Sequence, residues 1–140
     1  MNTPDNSMSL ELESLVSTLS KLEGLKGAYL FGSFAANQQT QWSDIDLALL
    51  YQHSLRADDF WQIKKMLLSQ MNRDLDLIDL QAVDNIFQHE IIATGHRLLT
   101  NDTSFCVDFE VDVIMYYIDF SFYRLPILAD IQKRGYIHDR

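Results

Sequence analysis

The run Ile45-Asp46-Leu47-Ala48-Leu49-Leu50-Tyr51 restricts the fold more than any other stretch of this chain. Residues two apart in a strand share a face, and here both faces are apolar except where Asp46 interrupts them. Such a strand belongs in the middle of a sheet that is covered on both sides, the arrangement in which helices flank a sheet containing parallel strands. An aspartate inside it asks for a chemical reason.

The segments on either side supply the covering helices and neighbouring strands. Leu12, Leu15, Val16, Leu19 and Leu22 recur at helical spacing, with Gly24 at a helix end. Ala28-Tyr29-Leu30-Phe31 reads as a short buried strand, cut off by Gly32-Ser33. Phe34 to Ser43 is small or polar apart from Trp42 and predicts a helical turn and a loop. Asp58 and Asp59 open a second helix carrying Phe60, Trp61, Ile63, Met66, Leu67 and Met71. Leu75-Asp76-Leu77-Ile78-Asp79-Leu80 is another acid-broken strand, placed beside the one carrying Asp46. Val83, Ile86, Phe87, Ile91 and Ile92 mark a third helix capped by Gly95, ahead of the apolar pair Leu98-Leu99. A long last helix begins near residues 101–103 and carries Phe105, Phe109, Val113, Tyr116, Tyr117 and Phe120; Pro126 is expected to kink or end it. Its aromatic side chains suit either a core-covering face or a protein interface. The expected fold class is α/β, in the α+β sense: one domain over residues 1–140, a mixed sheet flanked by helices, with residues 1–7 and about 131–140 flexible.

Charge narrows the function classes. Twenty acids against 11 bases leave a formal charge of -9, which opposes the wrapping of a phosphate backbone, so no direct nucleic-acid binding is expected. Acids that converge in space repel one another unless a divalent cation joins them, and an acidic surface also fits a basic protein partner. Cys106 has no second cysteine to pair with and reads as a small core residue. Met1 to Ser7 lack the charged start and apolar run of a signal peptide, and no stretch approaches about eighteen uninterrupted apolar residues. A soluble, cytoplasmic chain without membrane contact is the expectation.

The acids carry the chemistry. Asp44 and Asp46 lie two apart, about 7 Å along a strand, and present adjacent carboxylates to one side. Oxygen ligands in pairs suit hard cations, and two cations roughly 3.5 to 4 Å apart can hold the attacking and leaving oxygens of a displacement at phosphorus. Asp76 and Asp79 compete to supply a third carboxylate; being three apart they face opposite sides, and Asp76 is the preferred one. Gly32 lets backbone approach a ligand, and Ser33 offers a hydroxyl and an N–H where backbone dipoles favour phosphate, although it also reads as an ordinary helix cap. His53, His89, His96 and His138 show no metal-ligand spacing, and Lys64, Lys65 and Arg73 read as a solvated helix face.

Gly32-Ser33, ten residues, then Asp44-Ile45-Asp46 resembles the signature of the polymerase β-like nucleotidyltransferase superfamily, and the chain length resembles its minimal branch. The resemblance covers about residues 10–100, including Ser43 to Leu47, Asp76 to Leu80 and Gly95. It implies that Asp44 and Asp46 bind two magnesium ions, that Asp76 assists as third carboxylate and general base, and that Gly32 and Ser33 contact nucleotide phosphates. The family loop often carries Arg and a second Gly where this chain has Phe34, Ala35, Ala36 and Asn37. The branch includes antitoxins paired with a helical RNase toxin of the HEPN type, and its members transfer AMP from ATP to a tyrosine of that toxin. The implied function is therefore a protein adenylyltransferase that acts as an antitoxin. Two other readings are an inert antitoxin that works by binding alone, and a small-molecule nucleotidyltransferase, for which 140 residues leave little room for an acceptor domain.

Overall fold

The computed structural model describes the backbone of residues 4–32 and 44–134 and the side chains of residues 10–32 and 44–121. Ser33, the turn and loop expected over Phe34 to Ser43, His138 and the last six residues lie outside the described residues. In chain order the elements are α1 (Pro4–Ser20), β1 (Gly27–Phe31), β2 (Ile45–Leu50), α2 (Ala57–Leu68), β3 (Leu75–Asp79), α3 (Asn85–Thr94), β4 (His96–Thr100) and α4 (Thr103–Arg134). The strands form one mixed sheet in the order β3-β2-β1-β4. β1 is antiparallel to β2 and β4, whereas β2 and β3 run parallel, joined through α2.

β2 is the interior strand that its composition predicts, with Ile45, Leu47, Ala48, Leu49 and Leu50 all at 0% exposure. Each buried leucine contributes about 1.5–3 kcal/mol relative to an exposed one. Ile45, Leu47 and Leu49 join Leu75 and Leu77 of β3 in a cluster with Leu15 and Leu19 of α1 and Leu67 of α2. Ala48 and Leu50 belong to a second cluster with Tyr29 of β1, Leu80, Ile91 of α3 and Cys106 of α4, against which Phe31, Phe87, Phe105 and Phe109 pack. α1 and α2 thus cover one face of the sheet, and α3 and α4 the other. Cys106 is the core residue the sequence suggests; its thiol donates to the Lys26 carbonyl at 3.3 Å.

The structure departs from the sequence reading at several points. α1 begins at Pro4, ahead of Leu12, where its helical pattern starts in the sequence. Leu98-Leu99 is part of a strand, β4, whose exposed His96 and Arg97 obscure the alternation that would have marked it. α4 continues past Pro126 to Arg134, because the one backbone bond that proline forfeits is a small part of a helix of 32 residues. Arg73 sits in the connection between α2 and β3 rather than on a solvated helix face, and pairs at 2.8 Å with Glu11 of α1, both side chains being nearly buried. α3 is opened by Asp84, whose carboxylate accepts from the Phe87 amide at 2.8 Å.

A polar tie crosses the second face. The Tyr29 hydroxyl donates to Glu110 of α4 at 2.6 Å, and Arg97 of β4 donates to both oxygens of the same carboxylate at 2.7 Å. Burial and the Glu110 bond push the Tyr29 phenol far above its usual range, so it stays a neutral donor. Burial opposes ionisation of Glu110, but the bonds from Arg97 and Tyr29 outweigh it and hold that carboxyl below its usual range.

Two glycines are set by space rather than by backbone angle. Gly95 ends α3 in extended conformation (φ -90°), not the left-handed one common at helix ends. A Cβ there would meet the carbonyl oxygens of Ile91 at 2.5 Å and Leu30 at 2.7 Å. At Gly27 a Cβ would meet the Cys106 sulfur at 2.5 Å. Backbone yields less than a side chain, so Gly95→Ala should destabilise more than Gly27→Ala, with overpacking costs of about 1–3 kcal/mol for the latter. Cys106→Ala should recover part of the Gly27→Ala loss in a double-mutant cycle read by thermal melts; additive effects would contradict the packing assigned to this pair.

Candidate active site

The acids gather where β1 ends and β2 and β3 begin. Asp46 is the second residue of β2 and Asp76 the second of β3, and the parallel register makes them direct neighbours. On the other side Asp46 pairs with Phe31, the last residue of β1. Ile45 and Leu47 point toward α1 and α2, so Asp46 points to the face covered by α3 and α4. Asp44 precedes β2 by one residue and is exposed, Asp46 is half-buried, and Asp76 is exposed. Phe31 packs edge-to-face on Phe87 with ring centroids 6.0 Å apart, forming an apolar wall beside the acids.

The carboxylates interact electrostatically. Burial raises the Asp46 carboxyl above its usual range, and the charges of Asp76 and Asp44 and a side-chain hydrogen bond with Asp76 push it further in the same direction. All three predicted acids therefore act on one locus. Among the described residues, no group of three or more His, Cys, Asp or Glu side chains stands in ready-made metal-holding geometry. The donor chemistry nevertheless fits a hard divalent cation: carboxylate oxygens only, crowded enough to repel, with the Asp46–Asp76 hydrogen bond to be given up on ligation.

Asp79 is separated from this locus. It is 7% exposed, and its two oxygens accept from the Leu55 amide at 2.6 Å and the Gln81 amide at 3.1 Å. It secures the loops that follow β2 and β3. The His89 ring stacks on Tyr117 with centroids 3.6 Å apart.

Gly32 has a feature that the sequence reading missed. Its φ of +73° is left-handed, and a Cβ would fall on the Asp46 carboxylate, with the carboxyl carbon only 2.9 Å away. The glycine therefore clears room for the acid as well as turning the chain out of β1. A glycine directly after a buried strand was the available signal; its cross-strand neighbour was not.

Two outcomes follow. Asp46 has a raised pKa in the folded chain, so folding is penalised by its ionisation: not at all at strongly acid pH, increasingly as pH rises through the carboxylate range, and fully near neutrality. Asp46→Asn should raise the melting temperature by several degrees near neutral pH, with the gain shrinking as pH falls; an equal gain at acid pH would contradict the electrostatic cause. Gly32→Ala should lower stability by at least the roughly 1–2 kcal/mol of a left-handed residue, through strain and displacement of Asp46.

Comparison with known proteins agrees with this geometry. The protein adenylyltransferase MntA of Shewanella oneidensis is 33% identical over 70 residues, which span 50% of each chain, so the matched region covers about half the length of that curated relative. A crystal structure of a toxin–antitoxin with AMP-PNP superposes with a TM-score of 0.67 at 26% identity, covering 88% of this chain and 97% of the other. A structure of tri-AMPylated Shewanella oneidensis HEPN toxin in complex with MNT antitoxin gives a TM-score of 0.66 at 25% identity, covering 89% of this chain and 98% of that one. Residues 13–104 match the family described as Polymerase beta, Nucleotidyltransferase, a span that runs from α1 through all four strands and both acid-bearing ones. The chain belongs to the polymerase beta nucleotidyltransferase family.

Proposed function

We propose that this chain is an antitoxin that transfers AMP from ATP to a tyrosine of a HEPN-type RNase toxin in the cytoplasm. The observation that carries the reading is the convergence of Asp44, Asp46 and Asp76 on one locus, with Asp46 perturbed by both of the others. Its support from relatives is the likeness to a protein adenylyltransferase and to antitoxin complexes with an AMPylated HEPN toxin and with AMP-PNP.

In this reading Asp44, Asp46 and Asp76 are the catalytic carboxylates and the ligands of two magnesium ions. Bound magnesium would neutralise phosphate charge and polarise the α-phosphoryl group. Asp44 and Asp46 present their oxygens at the sheet end, where Gly32 turns the chain out of β1, and Gly32 and Ser33, beside it in the sequence, contact the nucleotide phosphates. Asp76, exposed at the edge of the group, accepts the tyrosine proton. The phenolic oxygen forms its bond to the α-phosphorus as the bond to pyrophosphate breaks, and pyrophosphate leaves with that electron pair. Phe31 and Phe87 keep water from one side of Asp46.

Incubation of the chain with ATP, magnesium and a HEPN-type toxin should add adenylyl mass to a tyrosine of that protein. Asp44→Asn with Asp46→Asn should reduce transfer by on the order of a thousandfold or more while leaving the fold intact, and Asp76→Asn should reduce it about 10²–10⁴-fold. Asp79→Asn should instead lower thermal stability, because it loosens two loops. No mass addition by the wild type would sink the proposal. The departure at Phe34 to Asn37 favours a second reading, neutralisation by binding alone; it wins if the Asp44→Asn, Asp46→Asn variant protects cells from the toxin as well as the wild type.

A further inference from the structure

The inner side of α4 is accounted for by the core: Cys106 and Val113 are buried, Phe105 and Phe109 pack on the sheet, and Glu110 holds Tyr29 and Arg97. The opposite side is not polar, as a solvent-facing helix would be. Val107, Val111, Ile114, Met115 and Ile118 recur at helical spacing and remain 39–53% exposed. At about 100° per residue they share one arc roughly 100° wide, the width of a stripe that packs against something. Other exposed apolar residues, such as Leu10, Trp61, Met66 and Ile86, are scattered over α1, α2 and α3, and Tyr116 and Phe120 lie on α4 outside this arc. This one is contiguous and straight.

Next to the stripe, on the same flank of the helix, follow Asp108, Asp112 and Asp119. Asp108 and Asp112 also wall a cleft of about 500 Å³ between α3 and α4, with Phe105, Phe109, Gln88 and Tyr116 as its other sides. Acid, aromatic and amide groups around an open cleft suit the end of a lysine or arginine side chain. From residue 103 to 121 the helix carries no Lys or Arg at all. A second copy of this chain would bring no cation on this segment to answer those acids, and in an antiparallel pair the aspartates would face their own counterparts.

We infer that the outer face of α4 is the docking surface for a protein partner that presents an apolar strip bordered by Lys or Arg. The identity of that partner as the HEPN-type toxin rests on the antitoxin reading; the surface itself does not. Docking through α4 leaves the acid end of the sheet open to receive the acceptor side chain.

Binding and AMP transfer are measured separately, using the full chain and a HEPN-type toxin as the partner. Val111→Lys with Ile118→Lys should weaken binding about a hundredfold or more, two buried anchors having been replaced by charges that oppose the partner's own. Asp108→Asn with Asp112→Asn should slow association about tenfold at low salt and flatten its salt dependence. Unchanged circular-dichroism melts establish that these exposed substitutions leave the fold alone, and Asp44→Asn with Asp46→Asn should bind like the wild type. Wild-type affinity in the α4 variants overturns the inference even where transfer occurs. Binding without transfer by the wild type, lost in the α4 variants, upholds the inference and overturns the transferase reading. A dimer of the chain alone in analytical ultracentrifugation, split by Val111→Lys with Ile118→Lys, overturns it in favour of a second copy.

Discussion

The parallel pairing of β2 with β3, in the register that sets Asp76 beside Asp46, is the constraint on which the rest of the structure depends. Parallel strands cannot be joined by a tight turn, so the chain must cross over, and α2 is that crossover. Once α1 and α2 occupy one face of the sheet, α3 and α4 are left to cover the other. Like charges side by side on neighbouring strands oppose pairing, and here two acids are adjacent with a third two residues away. Packing alone offers no reason for such a cluster.

The two faces of the sheet are divided by chemistry. The face under α1 and α2 is purely aliphatic and aromatic around Leu47 and Leu49, and its polar clamp, Arg73 with Glu11, lies outside it. The face under α3 and α4 mixes apolar packing with the Tyr29–Glu110–Arg97 tie and ends in the acids. α4 serves three ends at once: it fills the core with Cys106 and Val113, anchors the tie through Glu110, and turns an apolar stripe outward. A helix with those three duties has few positions free to vary.

Much of the fold and the acid site was legible in the sequence, because local pattern determined it. The doubly apolar run after Asp44 gave an interior strand, and the period of two separated Asp76 from Asp79. What was illegible depended on neighbours distant in the chain. Arg73 looked solvated until Glu11 arrived from α1, Tyr29 gave no hint of Glu110, and Gly32 gave none of the carboxylate packed against it. β4 was missed because an edge strand of five residues with a polar start carries too little alternation to recognise. Gly95 was identified as a helix end correctly and for the wrong reason: two carbonyl oxygens, not a left-handed turn, exclude a side chain there.

The crossover has one more consequence, which concerns assembly. Asp46 meets Gly32 where the antiparallel β1–β2 pair ends, close in the chain, whereas Asp76 is delivered only when α2 has packed and β3 has found its place. Contacts between more distant parts of the chain close later and at greater entropic cost. The third carboxylate is thus hostage to the whole crossover. A full set of three therefore reports the crossover as well as the local motif.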